Sequence, residues 1–120
     1  MIIFGRESLA PYPAVYGGEA DVLKAEARCN TESVCSFSVT VQHADAGWDH
    51  YANQWDVVDA DGNILGERVL LHPHENEQPF TRSLGGVKIP AGLTEVTIRA
   101  RDSVHGYGGQ EIIVNVKLSD

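Results

Sequence analysis

An all-β sandwich is the fold class predicted by three features of this chain. Apolar and polar side chains alternate with a period of two in several short runs, turn signals separate those runs, and no convincing amphipathic helix is present. The 120 residues suffice for one domain with a single core, and 42% hydrophobic with 22% charged residues is ordinary for a globular protein. No apolar run approaches the length of a membrane span, so a membrane-spanning protein is not indicated.

From Met1 to Glu19, Pro11, Pro13, Gly17 and Gly18 break any period, which predicts an irregular arm ahead of a single domain over residues 20–120. Between Ala20 and Cys29, Leu23, Ala25, Ala27 and Cys29 fall on one face, and Lys24, Glu26 and Arg28 on the other. That reads as a half-buried strand, with a helix as the rival. The clearest strand follows: Cys35, Phe37, Val39 and Val41 alternate with Ser36, Ser38, Thr40 and Gln42, and His43 continues the inner parity. A loop from Ala44 to Asn53 carries Trp48, Asp49, His50 and Tyr51, and Trp55 and Val57 begin the third strand. Asp61-Gly62-Asn63 then turns the chain into Ile64 to Leu71, because Asp-Gly supplies the positive φ values of a tight hairpin.

Phe80 to Ile89 reads as a weaker strand interrupted by Gly85 and Gly86, with a turn at Pro90-Ala91-Gly92. Val96, Ile98 and Ala100 alternate with Thr97, Arg99 and Arg101, and Asp102 falls on the inner parity. His105 to Gly109 is a glycine-rich loop, after which Ile112, Val114, Val116 and Leu118 mark the last strand. About seven short strands with a tryptophan on the third point to an immunoglobulin- or fibronectin-III-like sandwich.

The two cysteines flank a polar turn, Cys29-Asn30-Thr31-Glu32-Ser33-Val34-Cys35, at the ends of two strand-like runs. A short cross-strand disulfide fits there, and it would require an oxidising compartment; two half-buried free thiols are the alternative. The spacing is too wide for a C-x-x-C redox motif, and two sulfurs are too few for a structural zinc site. No signal peptide is evident, so the chain reads either as cytoplasmic or as a mature periplasmic or secreted form without its leader. The net charge of -8 argues against nucleic acid and anionic membranes as partners and leaves cationic ligands favoured.

The candidate chemistry lies in the five histidines. His72-Pro73-His74 should be extended, because Pro73 fixes its own φ and pushes His72 out of the helical region, so the pair suits two ligands on one metal ion. In an antiparallel sandwich the ends of the second and sixth runs and the segment after the Asp61-Gly62 hairpin reach one pole. His43, His50, His72, His74 and His105 all fall there, and the cysteines fall at the other. Imidazoles suit Cu(II), Zn(II), Ni(II) or Fe(II), whereas a single methionine counts against a methionine-rich Cu(I) carrier. Asp102 is a candidate either to bind the ion directly or, like Asp49, to orient the rings. The bland readings are a core-edge His43, a His50 packed beside Tyr51, a His105 capping its loop, and an Asp102 paired with Arg82, Arg99 or Arg101.

The segments GWDHYANQW, HPHENEQPFTRS and RARDSVHGYGG, between Gly47 and Gly109, resemble a family of small bacterial exported β-rich proteins that carry this triple pattern. The resemblance covers roughly the last two-thirds of the chain, leaves the Met1 to Glu19 arm outside it, and implies export. It implies no particular activity.

Three functions therefore compete. The first is an exported metal-binding sandwich, with copper or zinc as the ion. The second is a carbohydrate- or protein-binding module, in which Trp48, Tyr51 and Tyr107 stack on a sugar while Asp49, Asn53, Glu75 and Glu77 accept hydrogen bonds from its hydroxyls. The third is a metal-dependent redox enzyme. Iron superoxide reductases also gather histidines at one end of such a sandwich, but they need a cysteine ligand beside them, and Cys29 and Cys35 are expected far away. H-E-x-x-H, G-x-S-x-G and G-x-x-x-x-G-K are missing, so catalysis is left open. Oligomeric state is not legible in the sequence.

Overall fold

The computed structural model describes residues 19–43, 50–74 and 77–116. The expected N-terminal arm up to residue 18, together with Trp48, Asp49, Glu75 and Leu118, lies outside the described residues. In chain order the strands are β1 (Asp21–Cys29), β2 (Val34–Gln42), β3 (Ala52–Val58), β4 (Ile64–Val69), β5 (Phe80–Lys88), β6 (Glu95–Asp102), β7 (Gly106–Tyr107) and β8 (Ile112–Asn115). They form two antiparallel sheets, β1-β2-β5 and β4-β3-β6, the second extended by β7 and β8, which both pair with β6. The protein is thus all-β, with its sheets packed as a sandwich.

The inward parities meet between the sheets. Phe37, Val39 and Val41 of β2 pack with Phe80 of β5, Trp55 and Val57 of β3, and Val96 and Ile98 of β6, all essentially inaccessible to solvent. Burial stabilises each such aliphatic or phenyl side chain by roughly 1.5–3 kcal/mol relative to exposure.

Three local expectations are corrected. Leu23 was placed with the apolar face of the first strand, yet it is 41% exposed and Val22 is the buried residue. A register irregularity between Val22 and Lys24 shifts the phase, so Ala25, Ala27 and Cys29 still face inward while Leu23 does not. Gly85 and Gly86 do not interrupt the fifth strand: a bulge opposite the segment between Cys35 and Phe37 absorbs them, with Gly86 at φ 70°. The His105 to Gly109 stretch is not all loop. Gly106 and Tyr107 pair with Asp102 and Arg101 as β7, which makes eight strands among the described residues where about seven were expected.

Gly109 is required by close approach, not by turning: a Cβ there would lie 2.0 Å from the Ala20 carbonyl oxygen. That contact lets Gln110 donate its amide to Asp21 Oδ1 at 2.7 Å and accept that of Val22 at 2.8 Å, tying the last hairpin to the start of β1. At the β3–β4 turn Gly62 has φ 86°, and Asp59 Oδ1 accepts the amides of Asp61 and Asn63.

At one pole, Cys29 and Cys35 face each other across the β1–β2 register and are joined in a disulfide. The other pole receives the ends of β2, β4 and β6 and the starts of β3 and β5. No helix of the described residues is long and apolar enough to cross a membrane.

Candidate metal centre

Three strand ends build the site. β2 delivers His43 immediately beyond its last residue, on the buried parity that its alternation began. β6 ends on Asp102, which pairs with Ala52 at the start of β3, and His50 lies two residues before that partner. The β3–β6 ladder continues outward, with the Ser103 amide donating to the Tyr51 carbonyl at 2.9 Å and the Tyr51 amide to Ser103 Oγ at 3.1 Å. His50 is therefore carried to the carboxylate by backbone pairing.

Asp102 is the hub. Its side chain is wholly buried, as is that of His43, whose Nε2 lies 3.6 Å from Asp102 Oδ2. His50 Nε2 lies 3.3 Å from Oδ1, with its side chain 13% exposed. Oδ1 also accepts the backbone amides of Val104 at 2.8 Å and His105 at 2.5 Å, while His105 Nδ1 meets Oδ2 at 3.3 Å. The rings are packed: His43 to His50 centroids are 4.7 Å apart, and His50 to His105 4.9 Å.

Burial alone would raise the Asp102 pKa, but the amides of His105 and Val104, the His105 ring and the charge of His43 together outweigh it and hold the carboxyl below its ordinary 3.8. The group is an anion set among imidazoles. His50 Nε2 is buried and, despite its proximity to Oδ1, makes no hydrogen bond among the described residues. Among those residues His43, His50 and Asp102 form a group whose donor atoms all lie within 4.8 Å of one another. Bonds of about 2.0–2.2 Å allow two donors on one ion to be at most about 4.4 Å apart, so small side-chain rotations suffice for all three to share a metal. Two imidazoles and a carboxylate suit a divalent transition ion.

His72 and His74 occupy the same pole without belonging to that group. Their ring centroids are 4.8 Å apart; His74 is buried and stacks on Phe80 at 4.0 Å, and His72 Nδ1 lies 3.1 Å from the Pro73 carbonyl. Their link to the centre is Gln78, which sequence reasoning did not single out. Its Oε1 accepts the His43 amide at 2.9 Å, and its Nε2 donates to the His74 carbonyl at 2.9 Å.

The arginines expected beside Asp102 lie elsewhere. Arg82 pairs with Glu77 at 3.2 Å, Arg99 Nε approaches Asp56 Oδ2 at 3.4 Å, and the Arg101 guanidinium lies 5.6 Å from the Tyr107 ring centroid. Asp56, a second wholly buried carboxylate, faces outward from β3 and accepts hydrogen bonds from Tyr107 Oη and, at 2.7 Å, Gln54 Nε2. Tyr107 lies under Arg99, whose guanidinium is 4.0 Å from the ring centroid, with its hydroxyl directed along the sheet away from the histidine pole. It is thus committed to the outer face of β3 and β6 instead of standing as a free stacking platform. Asn53 serves the β3–β4 ladder through its carbonyl, which accepts the Leu70 amide at 2.9 Å. In the sequence this second carboxylate was marked only by its place between Trp55 and Val57 on the third strand; the register of β3 and β6 sets it opposite Arg99.

No family model matches the chain, and no solved structure matches it. The chain is 41% identical over 99 residues to a protein of Halomicrobium mukohataei named "Putative lipoprotein", a match that takes in 82% of this chain and 48% of that protein. The chain therefore spans about half the length of the curated relative it matches.

Proposed function

We propose that this chain is an exported metal-binding β-sandwich that holds one copper(II) or zinc ion at its histidine pole. His43, His50 and Asp102 are the ligands, and His105 orients the carboxylate. The observation that carries this reading is the convergence of His43 Nε2 and His50 Nε2 on the two oxygens of one buried aspartate, at 3.6 and 3.3 Å. Among the described residues, hydrogen bonding to a shared carboxylate leaves His50 Nε2 without a bond, whereas an ion among the three would use it. Sulfur is no part of the set, because both cysteines are consumed in the disulfide at the opposite pole. Imidazole nitrogen with one carboxylate favours zinc or copper(II) over the softer copper(I).

Export to a periplasmic or extracellular space is supported by that disulfide, since cytoplasmic thiols are kept reduced. The name of the half-matching relative points the same way.

Elemental analysis of untagged protein, followed by calorimetric titration with zinc and copper(II), tests the assignment. About one ion per chain should bind, with affinity lowered at least tenfold in His43→Ala and in His50→Ala. The His72→Ala, His74→Ala double variant should keep its stoichiometry. Uptake lost only in that double variant would move the site to the HPH segment, and equal uptake by all forms would remove it from this pole.

A further inference from the structure

Resting on the metal reading above, we propose that the bound ion keeps one coordination position exchangeable, on the side toward His50 and His105, and takes water or a small anion there. The argument is a count of donors. Asp102 Oδ1 already accepts the two amides of Val104 and His105, so Oδ2, which meets only the His105 ring at 3.3 Å and His43 Nε2 at 3.6 Å among the described residues, is the oxygen with capacity left for the ion. His105 lies outside the group of convergent donors, and its Nδ1 makes a hydrogen-bond contact with Oδ2 at 3.3 Å, so it positions the ligand instead of acting as one. Among the described residues the protein then supplies His43, His50 and Asp102, one fewer than the four that close a tetrahedral zinc site. Zinc held by three protein groups completes its shell with a water molecule and polarises it.

Exposure gives the open side. The side chains of His43 and Asp102 are wholly buried, that of His50 is 13% exposed, and that of His105 36%. Access to the ion therefore runs past His50 and His105, while the sandwich core closes the opposite side. Fixation is uneven in the same sense: His43 is anchored through its amide to Gln78, and Asp102 through two backbone amides. The ligand class is set by charge and size. A divalent cation with one carboxylate and neutral imidazoles retains positive charge, which favours water or a small anion such as azide, acetate or carbonate in the remaining position.

The test uses the full chain loaded with Co(II), whose visible bands report coordination, titrated with sodium azide. The expected result is a saturable shift of the Co(II) bands with azide, and loss of those bands in His50→Ala. A Co(II) spectrum that azide leaves unchanged would show a shell closed by the protein and overturn the proposal. If His105→Ala then gained the azide response that wild type lacked, His105 would be the fourth ligand, which also overturns it. Failure to take up Co(II) and zinc at all would remove the metal reading itself, an outcome distinct from azide silence in a loaded protein.

Discussion

Asp102 lies opposite Ala52 across the β3–β6 ladder, and that register brings His50 to the carboxylate. Two tasks meet in this one side chain, since its oxygens face histidines while Oδ1 also holds the Val104 and His105 amides.

The tasks separate by substitution. Asp102→Asn keeps an oxygen for the two amides but removes the charge. It should fold with a stability within about 1 kcal/mol of wild type while binding zinc at least tenfold more weakly. Asp102→Ala removes the acceptor as well, and because Val104 and His105 reach water the further loss should be about 1–2 kcal/mol. Urea unfolding and calorimetric zinc titration read the two effects; equal stability of the Asn and Ala forms would show that the carboxylate does not hold the turn.

Much of the scaffold was legible because its strands obey a two-residue period: every inward residue from Cys35 to Val41 is buried. Leu23 was misplaced because a bulge leaves no mark in hydrophobic alternation. Adjacency along the chain and strand register point to different groups of histidines. His72 and His74 look like a ligand pair because one proline separates them, whereas the group that gathers around Asp102 comes from three strand ends whose pairing a periodicity does not specify. Asp102 stood on an inward parity, which was the readable sign that it would be buried; which cations or imidazoles would surround it depended on the strand order.

Gln78 should matter to the site out of proportion to its own packing, because it joins the His43 amide to the His74 carbonyl. In Gln78→Ala, zinc affinity should fall about tenfold, while metal-free stability falls by about 1 kcal/mol. Gln78→Glu retains the oxygen facing His43 and should recover part of the affinity. An affinity loss no larger than the stability loss would make Gln78 a loop brace with no specific bearing on His43.

The disulfide should act on stability alone. It closes a short loop, a sequence separation of 6, so reduction or Cys29→Ser, Cys35→Ser should cost about 2 kcal/mol through the unfolded chain. Zinc affinity of the folded protein should change less than about twofold, since the cysteines occupy the pole away from the histidines. A tenfold affinity loss in the double variant, measured below its unfolding temperature, would contradict that separation.

The outer face of the second sheet makes a pH-dependent prediction independent of the metal. Burial, then the hydrogen bond to Asp56 and its charge, push the Tyr107 hydroxyl above its ordinary pKa of 10.0, against the pull of Arg99 and Arg101. The unfolded chain therefore releases this proton near pH 10, and the folded chain releases it only at higher pH. Between the two values the folded state binds more protons, so stability must fall as pH rises; below pH 10 the contribution is fully present. Tyr107→Phe keeps a ring beneath Arg99 but removes the donor to buried Asp56. At pH 8 it should lower stability by about 1 kcal/mol, below the roughly 1.5–3 kcal/mol of a bond to a charged group because the residue is 36% exposed. It should also flatten the decline above pH 10, so that the wild-type and variant curves converge there. Urea midpoints from pH 8 to 11 decide the matter: curves that fall in parallel would assign the alkaline transition to another group and leave the Tyr107 hydroxyl without a titrating role.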